Sequence, residues 1–84
     1  MKYVITYDLN KSGQDYGKLI GAIKELPCIA FLKSAWFIKS TLSAEKLYKH
    51  FQQFIDKNDG LLVAEINQNR QGWLDQTTWD FLNS

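Results

Sequence analysis

Eighty-four residues make one small domain, and a chain of this length buries only roughly 60–65% of its unfolded surface. Apolar residues make up 45% and charged residues 23%, a globular composition that excludes a disordered chain. The net charge of +1 is unevenly divided: residues 1–42 hold six Lys and three acids, and residues 43–84 hold four bases and six acids. Uniform basicity therefore cannot hold this chain on nucleic acid, which leaves a local basic patch as the remaining electrostatic route.

Lys2 to Asp8 reads as the first strand, β-branched and aromatic, with Tyr3, Ile5 and Tyr7 on one face and Val4 and Thr6 on the other. Both faces are largely apolar, which suits a central strand or one face lent to a partner. Asn10-Lys11-Ser12-Gly13 is turn chemistry. A helix is expected from about Asp15 to Leu26, where Tyr16, Leu19, Ile20, Ile23 and Leu26 share one face and Pro27 stops it. Gly17 and Gly21 flank that face. They read either as tolerated helical glycines or as a place where another backbone comes close.

Cys28 to about Leu42 is a second β region, long for one strand and able to supply a hairpin; Lys39-Ser40-Thr41 reads as a third strand's start or a bend. Continuous alternation would set Leu32, Ser34, Trp36 and Ile38 against Phe31, Lys33, Ala35, Phe37 and Lys39. Ser43 caps a second helix whose buried stripe is Ala44, Leu47, Tyr48, Phe51, Phe54 and Ile55. Leu42 and Leu47 are spaced for a hydrophobic staple, and Glu45 and Lys49 for an (i, i+4) pair. Asn58-Asp59-Gly60 ends that helix and leads into a strand from Leu61 to Asn67. In the tail, Asp75-Gln76-Thr77-Thr78 resembles a helix start, giving either a short helix or a strand and turn. Trp73, Leu74, Trp79, Phe81 and Leu82 make the tail too apolar to hang free, so it is expected to dock.

The order β-α-β-(β)-α-β plus an extension is that of an α+β, ferredoxin-like split βαβ sandwich, a single domain over residues 1–84 with both helices on one face of an antiparallel sheet. The sheet's other face then needs cover, and a second copy of the same sheet is the simplest expectation. Cys28 is alone and no Cys/His pair has zinc spacing, so a reducing cytoplasm is expected. The N-terminal apolar run is stopped by Asp8, short of a signal peptide, and no stretch approaches the ~20 apolar residues that span a bilayer. A soluble cytoplasmic protein with no membrane partner is the expectation.

Several motifs fall in a familiar order: Ile5-Thr6-Tyr7-Asp8-Leu9, Lys33-Ser34-Ala35-Trp36-Phe37, Leu42-Ser43-Ala44-Glu45, and a strand led by Asp59. Over roughly residues 2–67 the chain resembles CRISPR-associated protein 2, the small second adaptation protein, and its relative virulence-associated protein D. Those families show a Tyr-Asp closing the first strand, a Ser-Val-aromatic run in the second and an Asp before the fourth. With its Tyr-Asp-Leu-Asn, Trp-Phe-Ile and Gly-Trp-Leu stretches, the chain is more similar still to small bacterial proteins of SinR-like type.

The resemblance implies a homodimer with Asp8 near the two-fold axis, acting as a magnesium-dependent endonuclease on RNA or DNA. Two copies of Asp8 would give an ion two oxygen ligands and leave positions for water and a phosphate. The residue-level alternative is a turn Asp bonding its own backbone; Asp59, leading a strand expected antiparallel beside the first, is the one further acid expected near the metal, or else a turn residue too. Lys11, Ser12, Lys33 and Lys39 are the candidate nucleic-acid contacts, with Lys18 beside them in a stripe, or else solvated surface cations. The chain departs from nucleic-acid-binding relatives in having one Arg, Arg70. His50 and Ser34 lack catalytic partners, and Cys28 reads as a small hydrophobe. The competing function is a non-catalytic dimeric adaptor or regulator that docks a protein through its sheet and aromatic tail.

Overall fold

The computed structural model describes residues 1–8 and 17–84. The elements run β1 (Lys2–Asp8), α1 (Gly17–Lys24), β2 (Cys28–Leu32), β3 (Ala35–Lys39), α2 (Ala44–Gln52), β4 (Gly60–Glu65) and α3 (Gln76–Asn83). Together they make a small α+β domain with one four-stranded antiparallel sheet, in the order β2-β3-β1-β4, and three helices. No helix among the described residues is long and apolar enough to cross a membrane.

Alternation along β1 divides the sheet into two faces. Tyr3, Ile5 and Tyr7 are buried together with Leu19, Ala22 and Ile23 of α1 and Leu47 and Phe51 of α2. Ile38 of β3 completes this core, and Trp36, Leu61 and Val63 pack around it. The Tyr3 hydroxyl escapes isolation by donating to the Leu42 carbonyl at 2.7 Å, and the Trp36 indole N–H donates to the Tyr7 hydroxyl at 3.2 Å.

Helix boundaries follow local chemistry. The Ser43 hydroxyl accepts from the Lys46 N–H and caps α2. Glu45 and Lys49 form the expected pair at 3.0 Å. The helix stops at Gln52, short of Asn58-Asp59-Gly60, because its last turn tightens: Phe54 and Ile55 bond the carbonyls three residues back, of Phe51 and Gln52. α1 ends the same way, with Glu25 and Leu26 bonded to Ala22 and Ile23 ahead of Pro27. A Cβ built on Gly21 meets nothing within 4 Å, so the close backbone approach is absent there and the glycine simply faces outward. The expected helix start at Asp15 lies outside the described residues.

The long β region is a hairpin turning at Lys33-Ser34, and after β3 ends at Lys39 the chain bends at Thr41 and Leu42. A register irregularity between Ala30 and Leu32 breaks the alternation, so Leu32 pairs with Ala35 and leaves the face of Trp36 on which it was expected.

The second face is covered in part, and by the chain's own tail. Phe31 stacks on Phe37 at 3.9 Å between ring centroids, and α3 packs against β2 from this side. Asp75 caps α3 by accepting from the Thr78 N–H at 2.8 Å, and hydrogen bonding from the Thr78 side chain, then from this N–H, holds the Asp75 carboxyl below its ordinary value. Leu82 is buried, and Phe81 lies under the Lys39 ammonium. The cover expected from a second copy is thus supplied over the Phe31–Phe37 half by α3. One tail aromatic does not dock: Trp73 is 98% exposed.

Candidate functional site

Asp8 ends β1 opposite Gly60, and its side chain is exposed. It continues the series Lys2, Val4, Thr6 on the second face, away from the two-helix core. Among the described residues its carboxylate has neither a hydrogen bond nor an ion pair. It borders a shallow depression of about 240 Å³ shared with Thr6, Tyr7, Gly60, Leu61 and Leu62.

One step in from Asp8, the register aligns Leu32, Ala35, Thr6 and Leu62 in a row across all four strands. Of the inner members Ala35 is buried and Thr6 half-buried, but Leu32 is 63% and Leu62 56% exposed. Apolar surface therefore lies open on the two outer strands at Asp8's end of the sheet. The turn after β2 is tied to the same end, because the Ser34 carbonyl accepts from the Thr6 hydroxyl at 2.9 Å and from the Tyr7 N–H at 3.1 Å.

The expected phosphate contacts do not gather at one place. Lys33 sits on that turn, exposed and at Asp8's end of the sheet. Lys39 pairs with Lys2 at the opposite end, about 20 Å away at the usual rise per strand residue, and is bound to Ser84 and Phe81. Lys11 and Ser12 lie outside the described residues. Lys33 and Lys39 therefore do not form one stripe.

Asp59 does reach Asp8's end, as expected of a strand antiparallel to β1. Its carboxylate is engaged in its own turn, accepting from the Asp56 N–H at 2.8 Å. Among the described residues no group of three or more His, Cys, Asp or Glu side chains could hold a metal ion. Among the described residues this end of one protomer thus offers a divalent ion one open carboxylate, Asp8, and a second chain would add another.

The other reactive side chains are accounted for. Burial pushes the Cys28 thiol up from its ordinary value, opposed in part by Lys24, which suits an inert partly buried hydrophobe. His50 is exposed and leans on Phe51 and Phe54. What the reading of the sequence missed is a basic cavity at the far pole, where Lys2 and Arg70 join Lys39. Lys2 and Lys39 share a parity on strands that pair, which was the available signal; Arg70 carried none.

No known family model matches the chain, and no solved structure matches it significantly.

Proposed function

We propose that the chain is a ferredoxin-like, homodimeric, nuclease-like protein of the CRISPR-associated protein 2 and virulence-associated protein D type, hydrolysing phosphodiester bonds in RNA or DNA. The strand order supports the ferredoxin-like reading. β3 lies between β1 and β2, and β1 lies between β3 and β4, so each βαβ unit is split by one strand. The observation that carries the functional reading is an exposed Asp8, without a hydrogen bond or ion pair among the described residues, beside the exposed Leu32 and Leu62.

Packing that surface against its copy about a two-fold axis would shelter Leu62 and Leu32 and draw the two Asp8 carboxylates toward one seam. Unscreened, they would repel; Mg2+ would relieve the repulsion and supply Lewis-acid activation of water and phosphate when bound. The chain's own contribution is the pair of carboxylates, the surface that joins the protomers, and Lys33 at the same end to attract a phosphate backbone. Purified protein with magnesium or manganese should cleave single-stranded RNA or DNA, and Asp8→Ala should remove cleavage while leaving the dimer intact. Cleavage that persists in Asp8→Ala would exclude this site.

A second reading rests on Trp73, whose indole stands free on the segment before α3. An exposed Trp beside apolar Leu74 suits a dimeric adaptor that docks a protein. It predicts no cleavage by the wild-type chain, and an assembly altered by Trp73→Ala but not by Asp8→Ala.

A further inference from the structure

At the pole of the sheet opposite Asp8, Lys2 and Lys39 are direct partners across β1 and β3. Both share the parity of Val4 and Phe37, so they stand on the same face. Like charges placed directly opposite each other on a sheet repel. Among the described residues neither ammonium makes a salt bridge.

A third cation is delivered from elsewhere in the chain. Arg70, on the segment after β4, lines the same surface cavity of about 470 Å³ as Lys2 and Lys39, together with Asn67 and Gln68. Its guanidinium is anchored: it donates to the Asn83 Oδ1 at 2.8 Å, the Asn67 carbonyl at 3.1 Å and the Leu82 carbonyl at 3.4 Å. Of its five N–H donors, two remain for a ligand. Lys39 is held as well, with its ammonium 4.4 Å above the centre of the Phe81 ring and bonded to the Ser84 hydroxyl. The acid on the wall, Glu65, pairs in register with Tyr3 and so has the parity of the opposite face.

Lys2, Lys39 and Arg70 line one cavity, two of them fixed by other contacts and none in a salt bridge among the described residues, and together they form an anion site. We infer that this cavity binds a phosphate monoester, carried either by a free nucleotide or by the 5′ end of a nucleic-acid strand. A dianion with several tetrahedrally arranged oxygens can meet Lys2, Lys39 and Arg70 at once, which a planar carboxylate does not do as well. The volume lies within the range of small-ligand sites. This site is independent of the reading of Asp8 and stands if that reading fails.

Calorimetric titration of the full chain with inorganic phosphate and with AMP, at constant ionic strength, tests the inference. Both should bind, and both should raise the melting temperature. Lys2→Gln is the cleanest variant, because its ammonium supports no other contact, and it should weaken AMP by about tenfold. Lys2→Gln with Lys39→Gln should abolish binding, whereas Asp8→Ala should leave it unchanged. A short oligonucleotide with a 5′-phosphate, compared with its 5′-hydroxyl counterpart, separates the two sources. Preference for the phosphorylated strand over AMP identifies the strand end, and the reverse identifies the nucleotide. Failure of phosphate and AMP to bind at millimolar concentration, or binding that Lys2→Gln leaves intact, would overturn the inference.

Discussion

Leu62→Lys separates a working surface from an incidental one. In the protomer Leu62 is 56% exposed, so folding has gained only part of its burial free energy. Complete burial of a leucine is worth about 1.5–3 kcal/mol, which leaves about 1–1.5 kcal/mol to be gained when a second copy covers it. A two-fold interface counts each residue twice, so the two leucines together contribute about 2–3 kcal/mol. Losing that should weaken dimerisation by roughly 30- to 150-fold, and the cost of burying a charge adds to it. The fold itself should hardly notice, because β4 is an edge strand and Lys is at home there. Sedimentation equilibrium across a concentration series reads the dimer constant, and circular dichroism checks the fold. Equal dimer constants for wild type and Leu62→Lys would refute the reasoning, as would a wild-type chain that is monomeric at about 100 μM, where a standard-sized interface should associate.

The remaining predictions concern the framework that carries the site. Tyr3 is almost wholly buried, and its hydroxyl is held above the ordinary phenol value, first by that burial and then by the negative charge of Glu65. Above the unfolded phenol value the unfolded chain loses this proton while the native chain keeps it, so stability falls as the pH rises through and beyond that point. Tyr3→Phe should flatten the alkaline limb of a pH–stability curve while costing about 1 kcal/mol at neutral pH, because the Leu42 carbonyl loses its donor; an unchanged alkaline limb would count against it. Gly21→Ala should raise stability by about 0.5–1 kcal/mol in chemical denaturation, since a methyl group there meets open space inside α1, and a loss of stability would mean that something covers that helix. Ser43→Ala should cost about 1 kcal/mol by removing the cap on the Lys46 N–H, with Ser43→Asp restoring most of it.

The sequence made some of this legible and concealed the rest for identifiable reasons. Strand parity alone found the Tyr3–Ile5–Tyr7 face, and capping chemistry alone found both Ser43 and Asp75. The hairpin turn was hidden because Lys33-Ser34 contains none of the Gly or Asn that short hairpins favour. An irregularity at Ala30–Leu32 then inverted the expected facing of Leu32, a one-residue shift that composition does not register. The tail's cap pointed to a helix but left a strand and turn open, and where the tail docks, like the exposure of Trp73, depends on where the chain goes after Glu65. Asp8 was found through a motif. The Lys2–Lys39–Arg70 cavity was not, because it joins three segments whose alignment only the sheet register supplies.

Manganese binding tests the central proposal most directly, because that proposal has two chains share one ion through their Asp8 carboxylates. Calorimetric titration of the wild-type chain with Mn2+ should give one ion for every two chains, and Asp8→Asn should lose that binding while remaining dimeric. One ion per chain, no binding at all, or a stoichiometry untouched by Asp8→Asn would contradict the account.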